Sequence, residues 1–306
     1  MVVVVVGASS GLGRATARAF AAHRAHVVLA ARSVEALSKA EQECRAAGAA
    51  GTLVVPLDLA EPGGPDRLAA SVVERFGRID VWVHAAASLI AGPVASSSPE
   101  EVASLLRADV DGTYLSARAA LQVFEDQGRG TLVNVSSLLG LLPNPVVPGY
   151  VMAKFAVRGL TLSLRQAVAG LPDVHVCLVV PGPIDTPLFQ RSANHTGRKL
   201  RAIPPAVSVE RVAAAVVGCA RRPRRQCTAG LVARVVLLAH RIAPRPTELL
   251  VAQYSARAIT TSEPEWPATG ALAGPLPGPG SADGGWRLGR IRRAAGDRWG
   301  AFLAAR

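Results

Sequence analysis

Short apolar runs alternate with longer segments of helical period from the first residue onward. Val2–Val6 predicts a buried strand, and Leu12–Ala22, with apolar positions three and four apart, predicts a helix. Val27–Ala31 predicts the second strand. Ser33 caps a following helix that Gly48 ends. Leu53–Leu57, Ile79–Val83, Leu132–Ser136 and His175–Val180 bring the strands to six, and Gln226–Ala229 offers a short seventh. Ser98-Pro99-Glu100-Glu101 combines an N-cap, a proline in the first turn and a Glu at N3, so a long helix should start there. Another helix is expected around Tyr150–Ala169 and another over Val209–Ala220. Strands separated by helices over one continuous stretch predict an α/β fold: a doubly wound parallel sheet of Rossmann type in a single domain with a C-terminal extension.

The pattern weakens toward the C-terminus. Residues 1–230 are expected to form the domain and 231–260 a helical extension. Residues 261–306 are basic and rich in Pro and Gly, around Gly274-Pro275-Leu276-Pro277-Gly278-Pro279-Gly280, and are expected to be a flexible tail.

Half of the 306 residues are apolar but only 4% are aromatic, so the core must be built from Ala, Val and Leu. The net charge of +12 is concentrated in Arg, at Arg221-Arg222-Pro223-Arg224-Arg225 and in the last twenty residues. Neither cluster is interleaved with aromatics or set in a recognisable nucleic-acid module, so no nucleic-acid partner is expected. The four cysteines form no C-x-x-C pair and have no His at ligand spacing, which predicts reduced, buried thiols and no metal site. With no signal peptide and no apolar run of about 18 residues, a cytoplasmic location is expected. Leu231–Ala243 could serve as a helix for peripheral membrane contact or as one packed over the pocket or a subunit interface. A homo-oligomer is expected.

Two clusters carry candidate chemistry. Gly7-Ala8-Ser9-Ser10-Gly11-Leu12-Gly13 lies between the first strand and the first helix, where a turn without Cβ atoms lets a pyrophosphate approach the backbone and the helix N-terminus faces it with free N–H groups. Tyr150 and Lys154 stand four apart on one helical face. A free phenol, with a pKa of about 10, is a poor base, and a neighbouring ammonium favours the phenolate. Ser137, thirteen residues before Tyr150 at the end of a strand, can hold a substrate oxygen beside the phenol.

The G-x-x-x-G-x-G turn together with this Ser, Tyr and Lys spacing resembles the short-chain dehydrogenase/reductase family. The resemblance implies that Ser137 orients the substrate oxygen, that Tyr150 is the acid/base, and that Lys154 tunes it and holds the nicotinamide ribose. It also implies a fourth catalytic position at Asp109. The family has Asn there, and its main-chain carbonyl holds a relay water. Cofactor contacts carry over to Gly7, Ser9, Ser10, Gly11, Leu12 and Gly13 in the turn, and to Asp58 and Leu59 after the third strand. They carry over also to Pro181, Gly182, Ile184 and Thr186 in the P-G motif. Two further departures stand out. Val6 replaces the Thr before the first glycine, and His84-Ala85-Ala86-Ala87 replaces N-N-A-G, leaving the backbone around Ala85 to line the adenosine pocket.

The second strand ends in Ala31 with no carboxylate for a ribose 2′-OH, and Arg32 follows, with Ser10 and Arg14 at the same corner. NADP(H) is therefore expected over NAD(H), which stays open. Leu138, Leu139, Leu141, Leu142, Val146, Val147, Leu188 and Phe189 surround the site in sequence. They predict a largely apolar small-molecule substrate, an alcohol or its carbonyl, with part of the set serving as core. The competing class is a non-catalytic, nucleotide-sensing scaffold that uses the fold for protein partners.

Overall fold

Five consecutive valines, Val2–Val6, form the first strand, β1, and none is exposed on either face. This is the burial a parallel strand needs between two helical layers. The computed structural model describes residues 1–59 and 61–286. After β1 come α1 Gly11–Ala21, β2 His26–Ala31, α2 Val34–Ala46, β3 Gly51–Pro56, α3 Gly64–Phe76 and β4 Val81–His84. The two-residue β5, Ile90–Ala91, precedes α4 Pro99–Leu106, which continues through one π-helical turn, Arg107–Asp111, into α5 Gly112–Gln127. Then follow β6 Gly130–Val135, α6 Pro148–Ala167, β7 Val174–Pro181, β8 Ala193–Asn194, β9 Arg198–Leu200, α7 Val209–Arg221 and β10 Gln226–Ala229. Helices α8 Leu231–Ile242 and α9 Pro244–Ala258 lead to β11 Thr260–Pro264.

Seven strands form one parallel sheet in the order β10-β7-β6-β4-β1-β2-β3. The chain builds outward from β1 to β3, then crosses to β4 on the other side of β1. That reversal opens a crevice at the C-terminal strand ends, where α/β sheets bind ligands. Alternation within β1 divides the core. Val3 and Val5 pack with α1, α2 and α7, while Val2, Val4 and Val6 pack with α3 and α5. Burying each such side chain contributes about 1.5–3 kcal/mol. The expected helix starts hold: the Ser33 hydroxyl accepts from the Ala36 N–H, and Ser98 and Glu101 form a reciprocal capping box.

The C-terminal segment departs from expectation. Strand β11 pairs antiparallel with β9, and residues 270–286 run against the domain as a strap. Composition misjudged it because its anchors are backbone groups meeting polar partners, which a count of apolar side chains does not register. Residues 287–306, with the terminal basic cluster, lie outside the described residues. Among the described residues no helix is long and apolar enough to cross a membrane, and no group of side chains could hold a metal ion.

Candidate active site

Strand β6 delivers Ser136 and Ser137 to the crevice, and Pro148 starts α6 so that Tyr150 and Lys154 follow within its first two turns. The Ser136 hydroxyl donates to the Lys154 carbonyl at 2.9 Å, which pins strand end to helix. The Ser137 oxygen accepts from the Leu139 N–H at 3.1 Å and is hydrogen-bonded with the Tyr150 phenol. Lys154 Nζ stands 5.4 Å from the centre of the Tyr150 ring. The three expected residues therefore converge.

Asp109 enters from the π-helical turn, a distortion often found at functional sites. Its carboxylate makes contacts beyond the main-chain role expected of it. The main-chain carbonyl accepts from the Thr113 hydroxyl, and the carboxylate reaches into the site. Oδ2 lies 3.2 Å from Lys154 Nζ, and Oδ1 accepts from the Ser88 N–H at 2.7 Å. Both side chains are buried, at 0% exposure for Asp109 and 3% for Lys154. The sequence signal was the Asp itself, whose side chain was set aside in favour of its backbone.

Burial decides the proton affinities here. It pushes the Tyr150 phenol above its ordinary value, and Asp109 adds to the rise. Lys154 and the Ser137 hydrogen bond oppose it without overcoming it. The expectation that Lys154 would lower the phenol holds for that one contribution and not for the sum. For Lys154, burial disfavours the charged form, but the Asp109 carboxylate and Tyr150 outweigh it and hold the ammonium above its ordinary range. His84, also fully buried, is driven down to about 3 by burial and by the Lys154 charge, so its imidazole is neutral at working pH. It is a packed residue, 1% exposed.

The glycine turn fits a dinucleotide. Gly7 adopts φ +86°, and a Cβ on Gly13 would come within 2.2 Å of the Gly7 carbonyl oxygen. No acidic residue occupies the first turn of α1, so no carboxylate opposes an anion at its positive end. A cavity of about 510 Å³ runs from this turn to Tyr150. Of the expected site residues, Gly7, Ser9, Ser10, Gly11, Leu12, Arg32, Asp58, Leu59, Ala85, Ser137, Tyr150, Lys154, Pro181, Gly182, Ile184 and Thr186 line it, and Gly13, Arg14 and Asp109 do not.

Helix α8 packs over the pocket, one of the roles expected for Leu231–Ala243, while the rest of the added wall was not legible in the sequence. Arg191, from the turn after β7, lines the cavity near Arg32, and α8 and α9 contribute Val232, Val236 and Leu250. The strap contributes Ala271, Leu272 and Pro275, and its carbonyls occupy cradle donors. The Gly11 N–H donates to the Ser281 carbonyl at 2.8 Å and Arg32 Nη2 to the Ala271 carbonyl at 2.8 Å. Arg14, expected at the 2′-phosphate corner, is only 3% exposed and is engaged instead by Glu43, at 3.0 and 2.9 Å, and by the Pro279 carbonyl.

Known proteins resemble this arrangement along most of the chain. A family model for short chain dehydrogenases matches residues 1–197. An uncharacterized oxidoreductase of Bacillus subtilis, YxnA, is 32% identical over 257 residues, covering 82% of this chain and 71% of the relative. An alcohol dehydrogenase from Thermococcus sibiricus, solved with 5-hydroxy-NADP, superposes with a TM-score of 0.64 at 26% identity, covering 74% of this chain and 94% of that one. A short-chain dehydrogenase/reductase from Burkholderia phymatum, solved with NAD, has the same fold, with a TM-score of 0.73 at 24% identity over 81% of this chain and 94% of that one.

Proposed function

From the premise that the chain belongs to the short-chain dehydrogenase family, an oxidoreductase family, we propose that it is an NADP(H)-dependent enzyme interconverting a secondary alcohol and its carbonyl on a largely apolar substrate. One observation carries the reading: Ser137, Tyr150 and Lys154 face the same cavity as the glycine turn. A bound nicotinamide supplies or accepts the hydride. Ser137 and Tyr150 hold the substrate oxygen between their hydroxyls, and Tyr150 Oη gives or takes the proton there. Lys154 presents its ammonium to the phenol and to the adjoining ribose site. Gly7, Ser9, Ser10, Gly11, Leu12 and Gly13 cradle the pyrophosphate, and Asp58, Leu59 and Ala85 flank the adenine. Pro181, Gly182, Ile184 and Thr186 border the nicotinamide. A scaffold without catalysis would have no use for this convergence.

The preference for NADP(H) rests on the absent carboxylate after β2 and on two guanidinium groups, Arg32 and Arg191, at the cavity wall. The apolar substrate rests on Leu138, Leu139, Val147, Leu188 and Phe189, which line the cavity, whereas Leu142 is fully buried core. Initial rates with NADPH and NADH across a panel of apolar ketones test both points. NADPH should be favoured at least tenfold in kcat/KM, and Arg32→Ala should erase most of that margin. Equal use of the two cofactors by the unaltered protein would refute the assignment.

A further inference from the structure

Asp109 and Lys154 form a buried ion pair directly behind the residue assigned to proton transfer. A buried carboxylate is retained at such a place only when it is paired and hydrogen-bonded, and this one is both, through Lys154 and the Ser88 N–H. We propose that Asp109 is a positioning residue which clamps Lys154 and, by offsetting its charge, keeps Tyr150 protonated to higher pH, extending the pH range over which the site can donate a proton. The inference deepens the oxidoreductase reading and rests on it.

The charges give the sign. In reduction a bound nicotinamide would supply the hydride to the carbonyl carbon and be oxidised, and the carbonyl oxygen would gain the proton of Tyr150 Oη, which leaves a tyrosinate. Beside Lys154 alone, that anion would neutralise a cation. Beside the Lys154–Asp109 pair, already neutral, it leaves an excess negative charge in a buried site, so deprotonation costs more. The other titratable group facing Lys154 is His84 on β4, which is neutral, and the Ser137 hydroxyl faces the phenol without charge. Among the groups around the phenol, Asp109 is the one that brings negative charge.

Asp109→Asn keeps the shape and an acceptor for Ser88 while removing the charge. A purely structural role therefore predicts no change in titration. The proposal predicts that the Tyr150 tyrosinate transition moves down by about one pH unit or more. It can be read by ultraviolet absorbance as the difference between each protein and its Tyr150→Phe counterpart, which separates it from the chain's other two tyrosines. The alkaline limb of the reduction profile should move down by the same amount, and Asp109→Ser, smaller and also uncharged, should move it in the same direction. A transition unmoved or raised in the folded variants overturns the proposal. The absorbance titration needs no substrate, so it decides the role of Asp109 even if no ketone in the panel is reduced, an outcome that would count against the oxidoreductase reading instead.

Discussion

Deleting residues 270–306 should tighten cofactor binding. The strap lays carbonyl oxygens on two donors of the nucleotide site, Ser281 on the Gly11 N–H and Ala271 on Arg32, each at 2.8 Å. It is fastened further along by the Gly284 and Trp286 N–H groups, which donate to Asp185 at 3.1 and 3.0 Å, and by the Trp286 indole on the Thr186 carbonyl at 3.0 Å. A dinucleotide that uses Gly11 and Arg32 must first displace two hydrogen bonds, each with a net value of about 1 kcal/mol. The sum, about 2 kcal/mol, corresponds to about 30-fold in Kd. Isothermal titration of NADPH into the full and shortened chains measures it. Gly280→Val is the local counterpart. At φ +65° its Cβ would come within 2.5 Å of the Ser9 carbonyl oxygen, so the strap should lift there and part of the gain should appear without deletion. Stability should change little, because Ala282 is the one buried apolar side chain of residues 270–286. An unchanged or weakened Kd in both variants would show that the strap does not compete with the cofactor.

Tyr150→Phe should lower kcat by about 100-fold or more while NADPH affinity stays within about twofold, since the phenol moves a proton and the cradle holds the nucleotide. Retention of more than a tenth of the activity would dismiss the acid/base assignment. Helix α8 exposes Leu231, Val235, Leu238 and Ile242 on one face, with Arg234 and Arg241 beside them, so the protein should sediment with vesicles containing anionic lipid. Leu238→Glu with Ile242→Glu should abolish that binding, and recovery of the unaltered protein wholly in the supernatant would remove the membrane contact from consideration.

The fold was legible in the sequence because its signals are local. Five β-branched valines in a row, followed at once by a glycine turn, favour a doubly covered strand, and Ser33 and Ser98 mark helix starts through hydrogen bonds that span three residues. The glycine turn and the Ser137, Tyr150 and Lys154 set were legible for the same reason, since each cluster lies within a short stretch of chain whose secondary structure fixes its geometry. What the tertiary structure alone decided involves partners far apart along the chain. Arg14 reads as a phosphate ligand until Glu43 and Pro279 are seen to hold it. Asp109 reads as a backbone contributor until the fold brings Lys154 to 3.2 Å. The strap reads as loose chain because composition counts the apolar area a segment can bury, whereas this one is fixed by main-chain groups whose partners exist only once the sheet, the cradle and α1 have assembled.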